Sequence, residues 1–323
     1  MTGQLDEFDW IDRLKPLTRD DPRALGLLDD VAVLPARPGS DLIVSKDAMV
    51  EGVHFLVGEA AGVVAKRLLR TSISDLAAKA AEPFGYFLMT AWPDDRPWAQ
   101  REDFIAGLRA DGDRFGLTLL GGDTVRTPGP LTLSATVLGW TPAGGAVLRS
   151  GAQDGDIAVV CGFIGDGWLG LKAARGEIPD PTGRLAAHYR LPEPQVAIRP
   201  VLAALAHAAA DVSDGLVADA LHVARASGLG LSLDLDEMPM SPEAISWSAG
   251  QVDTAAARLA LATGGDDYAV ICAIAPRDAQ RFIEWTTRLG APSGRVGRFG
   301  GEPGLNIRLG GRALAVDRFG YRH

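Results

Sequence analysis

The residues best equipped for chemistry in this chain are its aspartates. Asp29, Asp30, Asp47, Asp75, Asp123, Asp211, Asp214, Asp266 and Asp267 stand where apolar runs meet small or polar residues. Taken singly, an aspartate at a turn is explained by capping and local hydrogen bonds. As a set they carry a second reading. Those that follow an apolar strand would project from one end of a sheet, where α/β folds place ligands. Carboxylates crowded into one cleft repel, and bound cations relieve that repulsion. Hard oxygen donors in a chain with 5 histidines point to Mg²⁺ and away from zinc or copper. Such a cleft would hold metal-bound polyphosphate without a phosphate loop. No Gly-x-x-x-x-Gly-Lys-Ser/Thr stretch and no protein-kinase signature occurs.

The acidic phrases recur in order. Ser74-Asp75-Leu76 is followed by Gly121-Gly122-Asp123, and Ser213-Asp214-Gly215 by Gly264-Gly265-Asp266-Asp267. The aspartates at 75 and 123 are 48 residues apart, those at 214 and 266 are 52 apart, and an apolar run follows each pair. A shared order of motifs predicts two related domains. The double glycines read as tight turns where backbone can approach a ligand. The turn 162–167 has the wrong spacing for a dinucleotide fingerprint and reads as a strand-to-helix turn. His54 lies among apolar residues, where a lone histidine is usually structural. Arg149 suits bidentate phosphate binding or a solvated boundary. Tyr321 suits stacking on an aromatic ligand or anchoring of the tail.

The elements that must position these residues follow from periodicity. Helices are expected over 7–17, 63–70, 75–81 (with Ser74 or Asp75 as N-cap), 97–115, from the turn 162–167 through 174, 196–210 and 216–226. Strands are expected over 31–34, 41–44 (ended by Ser45-Lys46-Asp47), 84–91, 131–138, 156–161, 230–235 and 268–274. Strands and helices interleave, so the class is α/β or α+β with mixed sheets. The Gly/Pro-rich stretch 141–154 marks a boundary, giving domains 1–148 and 149–323. The chain has 323 residues, enough for two cores. Its net charge of −9 argues against nucleic acid or an anionic membrane as partner. Cys161 and Cys272 sit in apolar runs and read as buried thiols in a reducing compartment. No signal sequence or bilayer-length apolar stretch is evident, so the expected location is cytoplasmic.

Read together, these segments resemble the thiamine-monophosphate kinases, within the superfamily of aminoimidazole ribonucleotide synthetase and selenophosphate synthetase. The matching stretches are Leu28-Asp29-Asp30-Val31-Ala32, Ser45 through Phe55, Ser74-Asp75-Leu76-Ala77-Ala78, Gly121-Gly122-Asp123-Thr124, Leu148-Arg149-Ser150-Gly151, Asp211 through Leu216, and Gly264 through Tyr268. Val50-Glu51-Gly52-Val53-His54-Phe55 is the specific part. The resemblance implies two α/β domains, with first-domain sheets of two subunits forming a barrel-like homodimer interface and the second domain completing the cleft. It implies ATP-dependent phosphorylation of thiamine monophosphate to thiamine diphosphate. It further implies that Asp30, Ser45, Lys46, Asp47, Asp75, Asp123, Asp211 and Asp214 surround several Mg²⁺ ions, with Asp30, Asp75 and Asp211 central to catalysis. Gly122, Asp123, Arg149 and Ser213 would contact ATP, and His54, Asp266 and Tyr321 the thiamine monophosphate.

Three positions depart from the family pattern: Lys46 stands where threonine is usual, Asp266 where glutamate is usual, and Gly26-Leu27-Leu28 replaces a Gly-Ile-Gly lead-in. A protonated lysine cannot ligate metal through its side chain. Either its backbone carbonyl binds metal or its ammonium replaces part of a cation's charge; the second is the expectation. The alternatives are another ATP-using superfamily member, similar to aminoimidazole ribonucleotide synthetase, and a non-catalytic Mg²⁺-nucleotide-binding protein.

Overall fold

The computed structural model describes residues 7–321. The chain divides into two units, Met1–Leu76 with Ala81–Gly144, and Ala77–Ala80 with Gly145–His323.

In the first unit, α1 (Glu7–Leu14) leads to β1 (Ser40–Val50), α2 (Ala61–Ala78), β2 (Glu82–Pro93), α3 (Trp98–Phe115), β3 (Thr118–Thr127) and β4 (Thr132–Pro142). The sheet order is β1-β4-β2-β3, with β2 and β3 parallel and the other pairs antiparallel. Strand alternation separates its faces. Met49, Tyr86, Leu88, Trp92, Leu133 and Val137 point to one side and join Leu68, Leu69 and Ile73 of α2 and Phe104 and Leu108 of α3 in a buried core. Across that core Arg70 Nε donates to Asp111 Oδ2 at 2.6 Å, tying α2 to α3. On the other side Leu42, Val44 and Val125 are exposed. Part of that side is covered where Ala24, Ala32 and Leu34 meet Leu120, Leu138, Phe84 and Phe87.

Four local expectations change here. The two helices expected over 63–70 and 75–81 are one: the Thr71 and Ser72 hydroxyls donate back to the Leu68 carbonyl, so they accommodate the helix and do not cap a new one. Asp75 therefore sits in the last turn of α2. Ser45-Lys46-Asp47 does not end β1 but runs through its middle, paired with Val137, Thr136 and Ala135. Residues 31–34 form no strand; Val31 and Val33 are exposed, and Val33 N–H donates to the Arg23 carbonyl, outside any ladder. Gly121-Gly122 is not a turn but part of β3, beside a register shift at Tyr86/Phe87. A Cβ at Gly122 would lie 1.9 Å from the Leu88 carbonyl oxygen, so glycine is required by the approach of β2.

The second unit contains β5 (Ile157–Cys161), α4 (Asp166–Ala174), α5 (Arg184–Arg190), α6 (Arg199–Leu205), β6 (Ala206–Val212), α7 (Leu216–Ala226), β7 (Leu231–Asp234), α8 (Pro242–Ala249), α9 (Thr254–Gly264), β8 (Ala269–Ile274), α10 (Ala279–Arg288), β9 (Ser293–Phe299), β10 (Leu305–Leu309) and β11 (Arg312–Ala313). They build a mixed sheet ordered β11-β10-β7-β9-β5-β8-β6. Strands β5 and β8 are buried along their whole length, which explains their unbroken apolar runs. Alternate residues feed two cores: Val160, Ala210 and Ile271 with α7 and α9, and Val159, Ala209 and Cys272 with α6 and α10. The helix expected over 196–210 stops at Leu205. Ala208, Ala209 and Ala210 are fully enclosed as β6 against β8, so burial overrides alanine's helical preference.

Both units are mixed α/β, but the repeated phrases occupy different elements. Asp75 lies in the last turn of a helix, whereas Asp214 precedes one; Gly121-Gly122-Asp123 lies within a strand, whereas Gly264 ends a helix and Gly265-Asp266 follow it.

Candidate active site

Within the first unit, β1 presents Ser45 and Asp47 toward α2 and Lys46 to the opposite side. Ser45 Oγ donates to Asp75 Oδ2 at 2.5 Å. Burial pushes the Asp47 carboxyl up to about 6; the charge of Asp75 adds to this, and a hydrogen bond from Ser72 opposes it. Ser134 Oγ donates to the Asp47 carbonyl at 2.7 Å, fixing the strand at this point.

On the other side of the sheet a cavity of about 430 Å³ is lined by Asp29, Asp30, Lys46, Asp123, Ser134 and Thr136, with Gly121 and Gly122 in its wall. Asp123 aligns with Met89 and Ser134 across the strands, and Lys46 with Thr136 and Phe87. Thr124, pointing to the helix side, is held by Trp10 Nε1 at 2.8 Å and contacts the Thr90 hydroxyl at 3.2 Å. The expected first-unit ligands thus fall into two groups, Ser45–Asp47–Asp75 and Asp30–Asp123, where sequence reading places them in one cleft. The pleat is the reason: adjacent strand residues face opposite ways. Among the described residues no three His, Cys, Asp or Glu side chains are assembled in ligating geometry.

His54 sits in a turn just after β1, its N–H bonded to the Val50 carbonyl. Its Nδ1 accepts the Val50 N–H at 3.1 Å, so the neutral ring carries its proton on Nε2. Arg67, itself buried, donates to the His54 carbonyl.

In the second unit, backbone hydrogen bonds gather the expected residues. Asp211 is the penultimate residue of β6, and the loop after the strand presents Ser213 and Asp214 before α7. The Ser213 carbonyl accepts Asp266 N–H at 2.7 Å, and the Asp214 carbonyl accepts Tyr321 N–H at 2.9 Å. A Cβ at Gly265, where φ is +77°, would meet the Ser213 carbonyl oxygen at 2.6 Å, so only glycine lets these loops touch. Asp266 follows with φ +68°, a strained conformation for a non-glycine residue. Arg149 is exposed, and its charge reaches both Asp219 and His222.

The donors fit Mg²⁺. They are carboxylate and hydroxyl oxygens, and a half-buried carboxyl raised to about 6 beside a second carboxylate is a pair that a divalent cation would relieve.

Two family models match, AIR synthase related protein N-terminal domain over residues 28–141 and its C-terminal domain over 153–310. The thiamine-monophosphate kinase of Caulobacter vibrioides is 52% identical over 318 residues, covering 98% of this chain and 90% of that one. The chain belongs to the thiamine-monophosphate kinase family. The crystal structure of the Stenotrophomonas maltophilia K279a thiamine-monophosphate kinase matches with TM-score 0.83 and 33% identity, covering 96% of this chain and 98% of that one. AaThiL, solved in complex with AMPPCP and TMP, shares the fold with TM-score 0.77 and 24% identity over 98% and 97% of the two chains.

For this thiamine-monophosphate kinase family member, residue-by-residue reading misses one supporting carboxylate, Asp219, and the bracing role of another, Asp267. Asp219, on the first turn of α7, accepts the Asp214 N–H at 3.0 Å, and burial with the charge of Asp214 pushes its carboxyl up to about 7. Asp267 is buried and accepts Gly165 N–H and Gly167 N–H, each at 2.9 Å, binding the β8 lead-in to the start of α4. Asp267 stands out in the sequence only as one of the acidic set. Asp219 lies inside a helical pattern and gives no signal.

Proposed function

We propose that this chain transfers the γ-phosphate of ATP to the phosphate of thiamine monophosphate, giving thiamine diphosphate and ADP. The Asp47–Asp75 pair carries the reading, as a preformed demand for a divalent cation on the side of β1 that faces α2. The relative at 52% identity supplies the substrate. Asp30, Ser45, Asp47, Asp75, Asp123, Asp211 and Asp214 are the Mg²⁺-holding residues of this proposal. Bound Mg²⁺ supplies the positive charge that lets two phosphate groups approach.

The protein's own residues then bind and orient. Gly122, Asp123, Arg149 and Ser213 hold ATP, Arg149 through its paired donors. His54, Asp266 and Tyr321 contact thiamine monophosphate. The acceptor oxygen is largely ionised near neutral pH, because a phosphate monoester's second pKa is about 6. No strong general base is needed, so the transfer is direct and in line with no phosphoenzyme.

The assembly reading is a homodimer through the open sheet face. Leu42, Val44 and Val125 are exposed there, beside the stacked Phe84 and Trp140 rings. Two buried free thiols and use of ATP suit the cytoplasm. Among the described residues no helix is long and apolar enough to cross a membrane.

The test is incubation with ATP, Mg²⁺ and thiamine monophosphate, with products separated by chromatography. Equimolar thiamine diphosphate and ADP, lost in Asp75→Asn, is the expected result. ATP binding with no diphosphate formed would overturn the reading in favour of another superfamily activity or a nucleotide-binding protein.

A further inference from the structure

The cavity on the open side of the first unit's sheet holds four charged side chains, Asp29, Asp30, Asp123 and Lys46. Among the described residues no ion pair ties any of them to another group. Lys46 is exposed at the middle of β1, which is an edge strand of the sheet. Its neighbours along that side of β1, Val44 and Ala48, are also exposed. The ammonium therefore stands over the cavity without a carboxylate to neutralise it, although three carboxylates line the same wall. Gly121 and Gly122 expose backbone at two positions of this wall, and the cavity's volume falls in the range of about 300–1,000 Å³ that suits a small molecule.

We propose that Lys46 is an anion-binding residue of this cavity, holding a polyphosphate directly and taking the place of part of the divalent-cation charge. The inference deepens the kinase reading and rests on it for the identity of the anion. Charge counting gives the reason. Three carboxylates and one ammonium leave two negative charges, which one divalent cation cancels. With a neutral residue at 46, three negative charges remain, and one divalent cation leaves the cavity anionic and repellent to phosphate. An ammonium has only donors and cannot enter a metal's coordination shell, so it must contact the anion that the metal contacts. Lys46 is thus removed from the expected metal ligands and assigned to the anion.

Calorimetric titration with tripolyphosphate and with AMPPCP tests this on the full chain, first in EDTA and then across a Mg²⁺ series. In EDTA the wild-type cavity keeps two negative charges and is expected to bind no tripolyphosphate; with Mg²⁺ present, wild-type protein is expected to bind it measurably. Lys46→Ala and Lys46→Thr are expected to weaken that binding about tenfold or more, the size of a lost charge-assisted contact. Lys46→Arg is expected to retain most of it. The Mg²⁺ concentration giving half-maximal AMPPCP binding is expected to rise several-fold in Lys46→Thr and to stay near wild type in Lys46→Arg. Unchanged melting temperatures show that the exposed substitutions leave the fold intact. Equal tripolyphosphate binding by wild type and Lys46→Ala at the same Mg²⁺ concentration, or an unchanged Mg²⁺ midpoint in Lys46→Thr, overturns the proposal. Because these readouts are binding and not turnover, they stand apart from the kinase reading. A wild type that binds tripolyphosphate through Lys46 but makes no thiamine diphosphate refutes the reaction and keeps the lysine's role.

Discussion

The metal-free protein should lose stability as pH rises past Asp47. The Asp47 carboxyl is raised from 3.8 to about 6, first by burial and then by the charge of Asp75. In the unfolded chain it returns to its ordinary value, so the folded state holds the proton more tightly. The sign follows: the native state gains from this proton below about pH 4, that gain shrinks as pH rises toward 6, and it is gone above 6. At about 1.4 kcal/mol for each tenfold change, the penalty at neutral pH is at most about 3 kcal/mol. Asp47→Asn keeps the shape and removes the charge. In urea unfolding with EDTA, the variant should be the more stable by up to that amount at pH 8 and equal to wild type at pH 4. Asp75→Asn should recover a smaller part, because the neighbour's charge is the lesser cause. Mg²⁺ should reverse the order, stabilising wild type at pH 8 far more than at pH 5 and stabilising Asp47→Asn little at either. A wild-type-to-variant difference independent of pH, or equal Mg²⁺ stabilisation of both proteins, would refute the reasoning.

Other sites give independent tests. Asp111→Ala removes the carboxylate that pairs with Arg70 in the first unit's core, where the two side chains are 3% and 9% exposed, and should cost about 3–5 kcal/mol in chemical denaturation. Arg70→Met with Asp111→Leu should recover most of that loss, and failure to recover it would show that more than the ion pair holds the two helices. Gly122→Ala places a methyl 1.9 Å from the Leu88 carbonyl oxygen and should lower stability by about 1–3 kcal/mol or prevent soluble folding; a wild-type melting temperature would contradict the close approach. Asp267→Ala leaves the Gly165 and Gly167 N–H groups without acceptors and should cost at least about 2 kcal/mol, with faster amide exchange at both glycines. Unchanged exchange there would remove its bracing role.

Much of the fold is legible from short-range pattern. The sequence-based bounds of α3, α4 and α7 agree closely with the structure because amphipathic runs end at Gly116, or start after turns that contain Gly165 and Gly215. The failures have a common physical origin in burial. Residues 206–210 have the composition of a helix, yet they form a strand because β8 offers a ladder and two cores enclose their small side chains. Residues 71–74 read as a break between two helices, with Ser74 or Asp75 as the cap of the second, yet in the packed helix the Thr71 and Ser72 hydroxyls bond back to the Leu68 carbonyl. Gly121-Gly122 reads as a turn because glycine usually marks one. Here it marks a strand pressed against its neighbour's backbone.

The site divides along the same line. Which residue types matter is written locally, in Ser45-Lys46-Asp47 and in Asp211-Val212-Ser213-Asp214. Which of them meet is not, because it depends on the pleat and on contacts distant in sequence. A three-residue phrase in mid-strand sends its central side chain to the opposite face, so Ser45 and Asp47 share Asp75 while Lys46 shares a cavity with Asp123. Conversely, Ser213, Asp214, Asp266 and Tyr321 are brought together by main-chain bonds whose donors and acceptors every residue possesses, so no side-chain pattern announces them. The strain at Asp266 belongs to this second kind of information. Its left-handed backbone is held by the Ser213 carbonyl on one side and by the glycine contact before it on the other. Asp266→Ala should therefore change substrate affinity while leaving the loop in place, whereas Gly265→Ala should disturb the loop itself and with it Ser213 and Asp214.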